Sequence, residues 1–227
     1  MRARRGRLPV LAEISAPTAA DGRAWSLRRE DFKQVAGLVE RLRSQRAVLV
    51  TGAADAAAPV AVALAGVATA TGRRVALLDC DLGRPRLAAD LGLAATPGLH
   101  EYLRWEAEPR DLLQPLALGG AAAGGATEPL VFIAGGRPAT DPAPLLGLQS
   151  FGHMTAKLRS AYQLLVIAGP PLAAEPEELA PVAAQADAVL IAVTPAQTKG
   201  RPGRAVAAAV GGLPAPPLGR VVVASEP

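Results

Sequence analysis

Six short runs of apolar residues, separated by helical patterns, constrain the fold of this chain most. The runs cover residues 47–50, 75–78, 130–133, 164–167, 188–193 and 221–223. Each run is continuous rather than alternating, which is typical of strands buried on both faces of a parallel sheet. The helical patterns cover residues 28–44, 59–71, 99–106, 150–162, 175–186 and 204–210. This alternation predicts an α/β fold with a doubly wound, mostly parallel sheet.

Length and composition narrow the class of protein. The chain has 227 residues, half of them hydrophobic and 19% charged, which suits one folded domain and excludes disorder throughout. One cysteine excludes a disulfide scaffold, and with two histidines it also excludes a structural zinc site.

We assign residues 1–27 to a basic N-terminal arm with its lead-in segment and residues 28–227 to a single domain. Residues 119–127 are predicted to form a low-complexity loop, and Trp25 and Trp105 are predicted to pack against the domain.

The charge pattern bears on location and partners. The net charge is +4, and Arg2, Arg4, Arg5 and Arg7 supply much of the excess. This arm is either a solvated tail or a contact for an anionic surface. No nucleic-acid partner is predicted, because the sequence has no aromatic stacking platform and no helix-turn-helix signature. The uncharged run 56–72 is too short and too rich in alanine for a membrane span, and it predicts a buried helix. Without a secretory signal, and with a lone cysteine, the chain is expected in the cytoplasm.

The segment after the first apolar run has the frame of a phosphate-binding loop. In open α/β sheets, ligands bind beyond the carboxyl ends of the strands, and the motif GxxxxGK[ST] lies between a strand and a helix. Gly52 matches the first glycine of that motif. Ala57 then stands for the second glycine, Ala58 for the lysine and Pro59 for the serine or threonine. The frame is present, but the residues that bind phosphate and metal are absent.

Two carboxylates follow the second apolar run. Asp79 and Asp81 are suited to holding Mg²⁺ or to accepting a proton from a hydroxyl group. In the alternative interpretation Asp79 caps a turn and Asp81 is solvated, and the spacing alone leaves both open. Between them, Cys80 is predicted to have a raised thiol pKa through like-charge repulsion. Ala168 ends the fourth run, where many nucleotide hydrolases place a metal-binding aspartate.

Six segments in order carry a resemblance to a known family. They are LPVLAEI (8–14), VLVTGA (48–53), ATGRRVALLDCDLGRPRL (70–87), PGLHEYL (97–103), IAGGRPATDPAPLL (133–146) and LLVIAGPPL (164–172). Together they resemble the cytoplasmic kinase domain of the bacterial tyrosine kinases that control capsular and exopolysaccharide export. That group belongs to the MinD/ParA-like P-loop ATPases, so the resemblance implies a three-layer P-loop NTPase-like sandwich.

The resemblance also implies an activity and partners. In the family, MgATP is the cofactor; the base toward a tyrosine hydroxyl would be Asp79, and Asp81 would bind the metal. The implied partners are a membrane protein that regulates polysaccharide chain length, a kinase paralogue or further copies of the chain. The resemblance implies a cytoplasmic location, with a peripheral position at the inner face of the membrane as an option. The family's ring-forming helix motif is only partly matched here, by Glu30 and Lys33.

The departures from the family pattern decide the predicted function. The loop lysine, the loop hydroxyl and the carboxylate at Ala168 are missing, and so is the family's C-terminal tyrosine cluster. MgATP binding is therefore expected to be weak or absent. The sequence favours a degenerate kinase-like regulator or scaffold in polysaccharide biosynthesis and export. Two alternatives stay open: an active MgATP-dependent tyrosine kinase or ATPase, and a partition-type positioning protein of the MinD/ParA group.

Overall fold

The computed structural model describes residues 8–15, 18–20, 24–116 and 130–224. Its strands are β1 Val10–Ser15, β2 Thr18–Ala20, β3 Ala24–Ser26, β4 Ala47–Gly52, β5 Val75–Asp79, β6 Gln114–Leu116, β7 Leu130–Ile133, β8 Leu164–Ala168, β9 Ala188–Val193 and β10 Pro217–Ala224. Its α-helices are α1 Arg29–Arg41, α2 Ala54–Ala70, α3 Leu87–Asp90, α4 Leu99–Leu103, α5 Ala143–Leu146, α6 Gln149–Ala161, α7 Pro176–Ala183 and α8 Gly200–Val210. The arginines of the N-terminal arm and the low-complexity segment 119–127 lie outside the described residues.

Eight of the strands form one sheet, in the order β1-β10-β9-β4-β8-β5-β7-β6. Every pair is parallel except β6 with β7, which is antiparallel. All six apolar runs are strands of this sheet, so the predicted α/β fold with a mostly parallel sheet is confirmed. The three-residue strands β2 and β3 pair separately as an antiparallel hairpin.

Helices cover both faces of the sheet and make a three-layer sandwich. On one face α1 and α2 pack on alternate residues of the central strands, such as Val48 and Val50 of β4. On the other face α6, α7 and α8 pack on the intervening residues, such as Leu49. Since both faces are covered, the central strands β4, β8 and β9 are buried along their length, which explains their continuous apolar sequences.

The second helix begins five residues earlier than the sequence predicts. The pattern places its start at Pro59, but α2 starts at Ala54 and contains Pro59. Four of the five additional residues are alanine, the strongest helix former. The fifth, Asp55, lies in the first turn, where the helix dipole favours a negative charge. Alanine propensity therefore extends the helix back to the end of β4 and replaces the predicted loop.

The two edge strands come from segments outside the six apolar runs. At one edge β1 pairs with β10 and buries Ala12 and Ile14. At the other edge the short strand β6 pairs with β7. No helix of the described residues is long and apolar enough to cross a membrane. The uncharged run 56–72 instead lies largely within α2, whose buried residues face both the sheet and α1.

Trp105 is not a packing residue, so that prediction is wrong. Its side chain is 83% exposed, and its φ of 63° lies in the left-handed region. The residue terminates α4: its amide donates to the Tyr102 carbonyl, and the Glu106 amide donates to the Glu101 carbonyl. This pair of hydrogen bonds defines a helix end at which glycine is the usual residue. The left-handed backbone turns the indole away from the core.

Candidate active site

A cavity of about 230 Å³ lies at the carboxyl ends of β4, β5 and β8. We call it the strand-end cavity. It is lined by Ala54, Asp55, Ala57, Ala58, Pro59, Asp79, Asp81, Arg84, Arg86, Leu87, Asp90, Ala168, Gly169 and Pro171. It thus brings together the two predicted carboxylates, three of the four predicted loop positions and Ala168. Gly52 is the predicted site residue that does not line it.

Gly52 has a structural requirement of its own. Its φ is +147°, and a Cβ placed on it would lie 1.9 Å from the carbonyl oxygen of Ala192 in β9. The amide of the next residue, Ala53, donates to that same carbonyl at 2.9 Å. The glycine is therefore needed where β4 and β9 approach closely, whether or not a phosphate binds nearby.

The loop positions Ala57, Ala58 and Pro59 are helical. The Ala57 amide donates to the Ala53 carbonyl at 3.1 Å, which is the first i to i−4 bond of α2. A phosphate-binding loop needs such amides free to point at the ligand. Ala58 presents a methyl group to the cavity where the motif has an ammonium group, and Pro59 has no N–H to donate.

Asp79 is the buried acid of the cavity. The residue is 2% exposed, and its Oδ1 accepts the Asp81 amide at 3.1 Å. Its Oδ2 is buried and has no hydrogen-bond partner among the described residues. Gly135 lies close to this carboxyl group, since a Cβ there would lie 3.4 Å from Oδ2. Burial raises the pKa of Asp79 to about 7, and the neighbouring charge of Asp81 adds to the rise.

Cys80 and Asp81 are the next two residues of the chain after Asp79. Asp81 is half-buried, and burial raises the pKa of its carboxyl, while the positive charge of Arg84 opposes the rise. Cys80 is fully buried, and its amide donates to the Ala168 carbonyl at 2.7 Å. Burial first, and then the two adjacent carboxylates, raise the pKa of its thiol well above the ordinary value. The direction agrees with the prediction, and burial is the larger cause.

Ala168 lies beside Asp79 in the register of β5 and β8 and is 4% exposed. A carboxylate at this position would stand next to the carboxyl of Asp79, whereas the alanine presents only a methyl group. Among the described residues, no three acidic, histidine or cysteine side chains are grouped so that they could hold a metal ion.

Four charged lining residues were not predicted from the sequence: Asp55, Arg84, Arg86 and Asp90. Asp90 ends the four-residue helix α3, which the sequence pattern did not predict. Arg86 lies in the segment GRPRL after the two carboxylates, so its position beyond a strand end was a usable signal. Arg84, Arg86 and Asp90 are exposed, unlike Asp79.

The cavity lacks the groups with which a phosphate-binding loop holds MgATP. The amides expected to wrap the phosphates belong to a helix, and α2 carries no cation toward the cavity. The cavity volume lies below the 300–1,000 Å³ of typical small-molecule sites. Its two arginines face four carboxyl groups, from Asp55, Asp79, Asp81 and Asp90.

Comparisons with known proteins agree with this fold. No family model and no curated protein matches the sequence. Among solved structures, the kinase domain of Escherichia coli tyrosine kinase Etk has a TM-score of 0.75 and 18% identity, over 96% of this chain and 91% of that one. The BceF tyrosine kinase domain has a TM-score of 0.74 and 18% identity, over 97% and 94%. The chain has the fold of a bacterial tyrosine kinase domain.

Proteins of the MinD type share the fold less completely. The septum site-determining protein MinD of Pyrococcus horikoshii, complexed with Mg-ADP, has a TM-score of 0.55 and 17% identity, over 78% of this chain and 68% of that one. The resemblance found in the sequence is therefore confirmed at the level of the fold, and the P-loop NTPase-like architecture with it. At these identities the likeness concerns the fold alone.

Proposed function

We propose that this chain is a catalytically inactive, kinase-like protein that acts as a regulator or scaffold in polysaccharide biosynthesis and export. The observation that carries the proposal is the start of α2 at Ala54, two residues after Gly52. It converts the positions of a phosphate-binding loop into helix, so their amides bond within the helix instead of to phosphate.

The energetics favour loss of nucleotide binding. A hydrogen bond to a charged group contributes about 1.5–3 kcal/mol, and each factor of ten in affinity corresponds to about 1.4 kcal/mol. The chain lacks the loop lysine, the loop hydroxyl and the carboxylate at Ala168. Losing even two such contacts lowers affinity by roughly a hundredfold or more. MgATP at micromolar concentration should therefore not bind.

Fluorescent ATP with Mg²⁺, titrated into the pure protein, tests this proposal. We expect no saturable binding up to millimolar nucleotide. The double variant Ala58→Lys, Pro59→Thr restores two motif side chains without restoring the loop, so it should also bind no ATP. Micromolar binding by the wild type that is lost in Asp79→Ala would refute the inactive assignment, provided that circular dichroism shows both proteins folded.

One observation favours the alternative of an active MgATP-dependent tyrosine kinase or ATPase. Asp79 and Asp81 lie at one cavity with Arg84, and burial gives Asp79 a pKa of about 7, which suits a general base. In that case Asp79 would accept the hydroxyl proton and Asp81 would hold the metal. This alternative would be supported if the wild-type protein released phosphate from ATP and the variant Asp79→Asn did not.

The partner proposal rests on the resemblance of the six sequence segments. We expect a membrane-bound regulator of polysaccharide chain length, or a kinase paralogue, to bind this chain, and we place the protein in the cytoplasm at the inner face of the membrane. Affinity purification of the full chain from its native cell tests this. Recovery of the regulator or the paralogue would support the proposal, whereas recovery of chromosome-positioning proteins would favour the partition-type alternative.

A further inference from the structure

A second cavity, of about 380 Å³, lies where β1 and β10 meet the segment that joins β9 to α8. We call it the edge cavity. Its lining residues are Leu8, Pro9, Val10, Glu13, Thr198, Lys199 and Arg220. It shares no lining residue with the strand-end cavity, so the two are separate candidate sites.

Arg220 gives the edge cavity a buried positive charge. The residue is 5% exposed; its Nε donates to the Leu8 carbonyl at 3.1 Å and its Nη1 to the Thr198 carbonyl at 3.0 Å. Within the described part of the chain, Nη2 makes no hydrogen bond and reaches solvent, and no carboxylate lies within 4 Å of the guanidinium. The adjoining residues 1–7 contain no aspartate or glutamate. A buried cation is costly unless a negative charge accompanies it.

The start of α8 adds to the positive potential. Lys199 lines the cavity, is exposed and is the N-cap residue of this 11-residue helix, with no side-chain capping bond. The first amides of a helix, here those of Gly200 and Arg201, have no partner within the helix. Helix amino ends favour anions for this reason and because of the helix dipole. Among the described residues that line the cavity, Glu13 is the one carboxylate, beside the two cations Lys199 and Arg220.

We infer that the edge cavity binds a phosphate group. A guanidinium that is fixed by two carbonyls and keeps Nη2 available can donate to one phosphate oxygen in a set direction. The Lys199 ammonium can neutralise the remaining charge, and α8 begins at the residue that follows this lining residue. Nothing in this arrangement involves the kinase-type site, and the inference stands whether or not that site binds ATP.

Titration of the ¹⁵N-labelled full chain with inorganic phosphate, at constant ionic strength, tests the inference. The amide resonances of Gly200 and Arg201 should shift and saturate. Lys199→Gln should weaken binding about tenfold, which corresponds to one charge-assisted hydrogen bond. The matched control is Lys157→Gln, which removes an exposed lysine of a different helix, α6, and should leave the affinity for phosphate unchanged. Arg220 itself is not varied, because it also holds Leu8 and Thr198 in place.

Two results would overturn the inference: equal affinity of Lys199→Gln and wild type, or the same shifts when chloride replaces phosphate. A vesicle experiment then separates the sources of the phosphate. The protein would sediment with phosphatidic acid vesicles but not with phosphatidylcholine vesicles if the phosphate belongs to a lipid headgroup. In that case Lys199→Gln should reduce the sedimentation and Lys157→Gln should not. Equal sedimentation of all three proteins would assign the site to a phosphate compound in solution.

Discussion

The carboxyl group of Asp79 illustrates how one residue can oppose the stability of the fold that buries it. It is 2% exposed, and its Oδ2 lacks a partner among the described residues. A buried polar atom without a hydrogen bond costs about 1–3 kcal/mol. Trp105 also lowers the stability of the fold, because a non-glycine residue in the left-handed region costs about 1–2 kcal/mol and its exposed indole gains little burial in return. Gly52, in contrast, occupies a position that a side chain could not.

The raised pKa of Asp79 predicts that stability falls as pH rises. The carboxyl titrates near pH 4 in the unfolded chain and near pH 7 in the folded protein. Between these values the folded state holds a proton that the unfolded state has lost. The free energy of unfolding should therefore decrease by up to about 1.4 kcal/mol per pH unit from pH 4 to pH 7, and the loss is complete above pH 7.

Asp79→Asn should remove most of this slope and be more stable than wild type at pH 8. Urea unfolding at pH 4 to 8 measures both effects. Asp141→Asn changes an exposed carboxylate and serves as the control, which should follow the wild-type curve. Asp79→Asn retaining the full slope would show that other groups cause it.

At the scale of elements, the start of helix α2 determines whether the segment after β4 is a loop or a helix at the strand-end cavity. Its composition fixes where it begins, because a run of alanines forms helix unless glycine or a tight loop interrupts it. The same residues, had they been glycines, would have favoured an open loop. The substitution of alanine at Ala57 therefore removes more than one contact, since it favours a different backbone conformation over the whole segment.

Pro59→Ala distinguishes a helix that starts at Ala54 from one that starts at Pro59. In the structure Pro59 is the sixth residue of α2, where proline costs about 3 kcal/mol relative to alanine. The variant should raise the free energy of unfolding by about 1–3 kcal/mol, measured by urea denaturation, since added freedom in the unfolded chain offsets part of the gain. Pro176→Ala, at the first position of α7, should have little effect because proline is tolerated there. Equal, small effects of both variants would favour the later start.

For the whole molecule, the sheet extends beyond the apolar core that the sequence pattern marks. The strand β1 belongs to the segment assigned to the N-terminal arm, yet it pairs along β10 and covers its edge. Without it, β10 would present unpaired amides and carbonyls next to Val221 and Val223, which is a template for association between molecules. The boundary between arm and domain therefore matters to stability.

Two shortened chains test this arrangement. A chain that starts at Leu8 loses only the arginine-rich arm and should melt at the wild-type temperature. A chain that starts after Ser15 also loses β1 with its buried Ile14, at a cost of about 2–5 kcal/mol, and should melt about 10 °C lower or aggregate. Differential scanning calorimetry measures both, and an unchanged melting temperature of the shorter chain would show that β1 contributes nothing to the domain.

The sequence by itself determined the layers of the fold and the identity of the missing groups. Continuous apolar runs report strands buried on two faces, and the frame around Gly52 with Ala58, Pro59 and Ala168 shows which phosphate and metal ligands are absent. Edge strands such as β1 escaped the pattern because only one face and one side of an edge strand are covered. Tertiary structure alone decided that Asp79 is buried against Gly135 and that Arg220 lies in a cavity with Lys199. These features depend on contacts between residues far apart in the chain, which the local periodicity of the sequence does not predict.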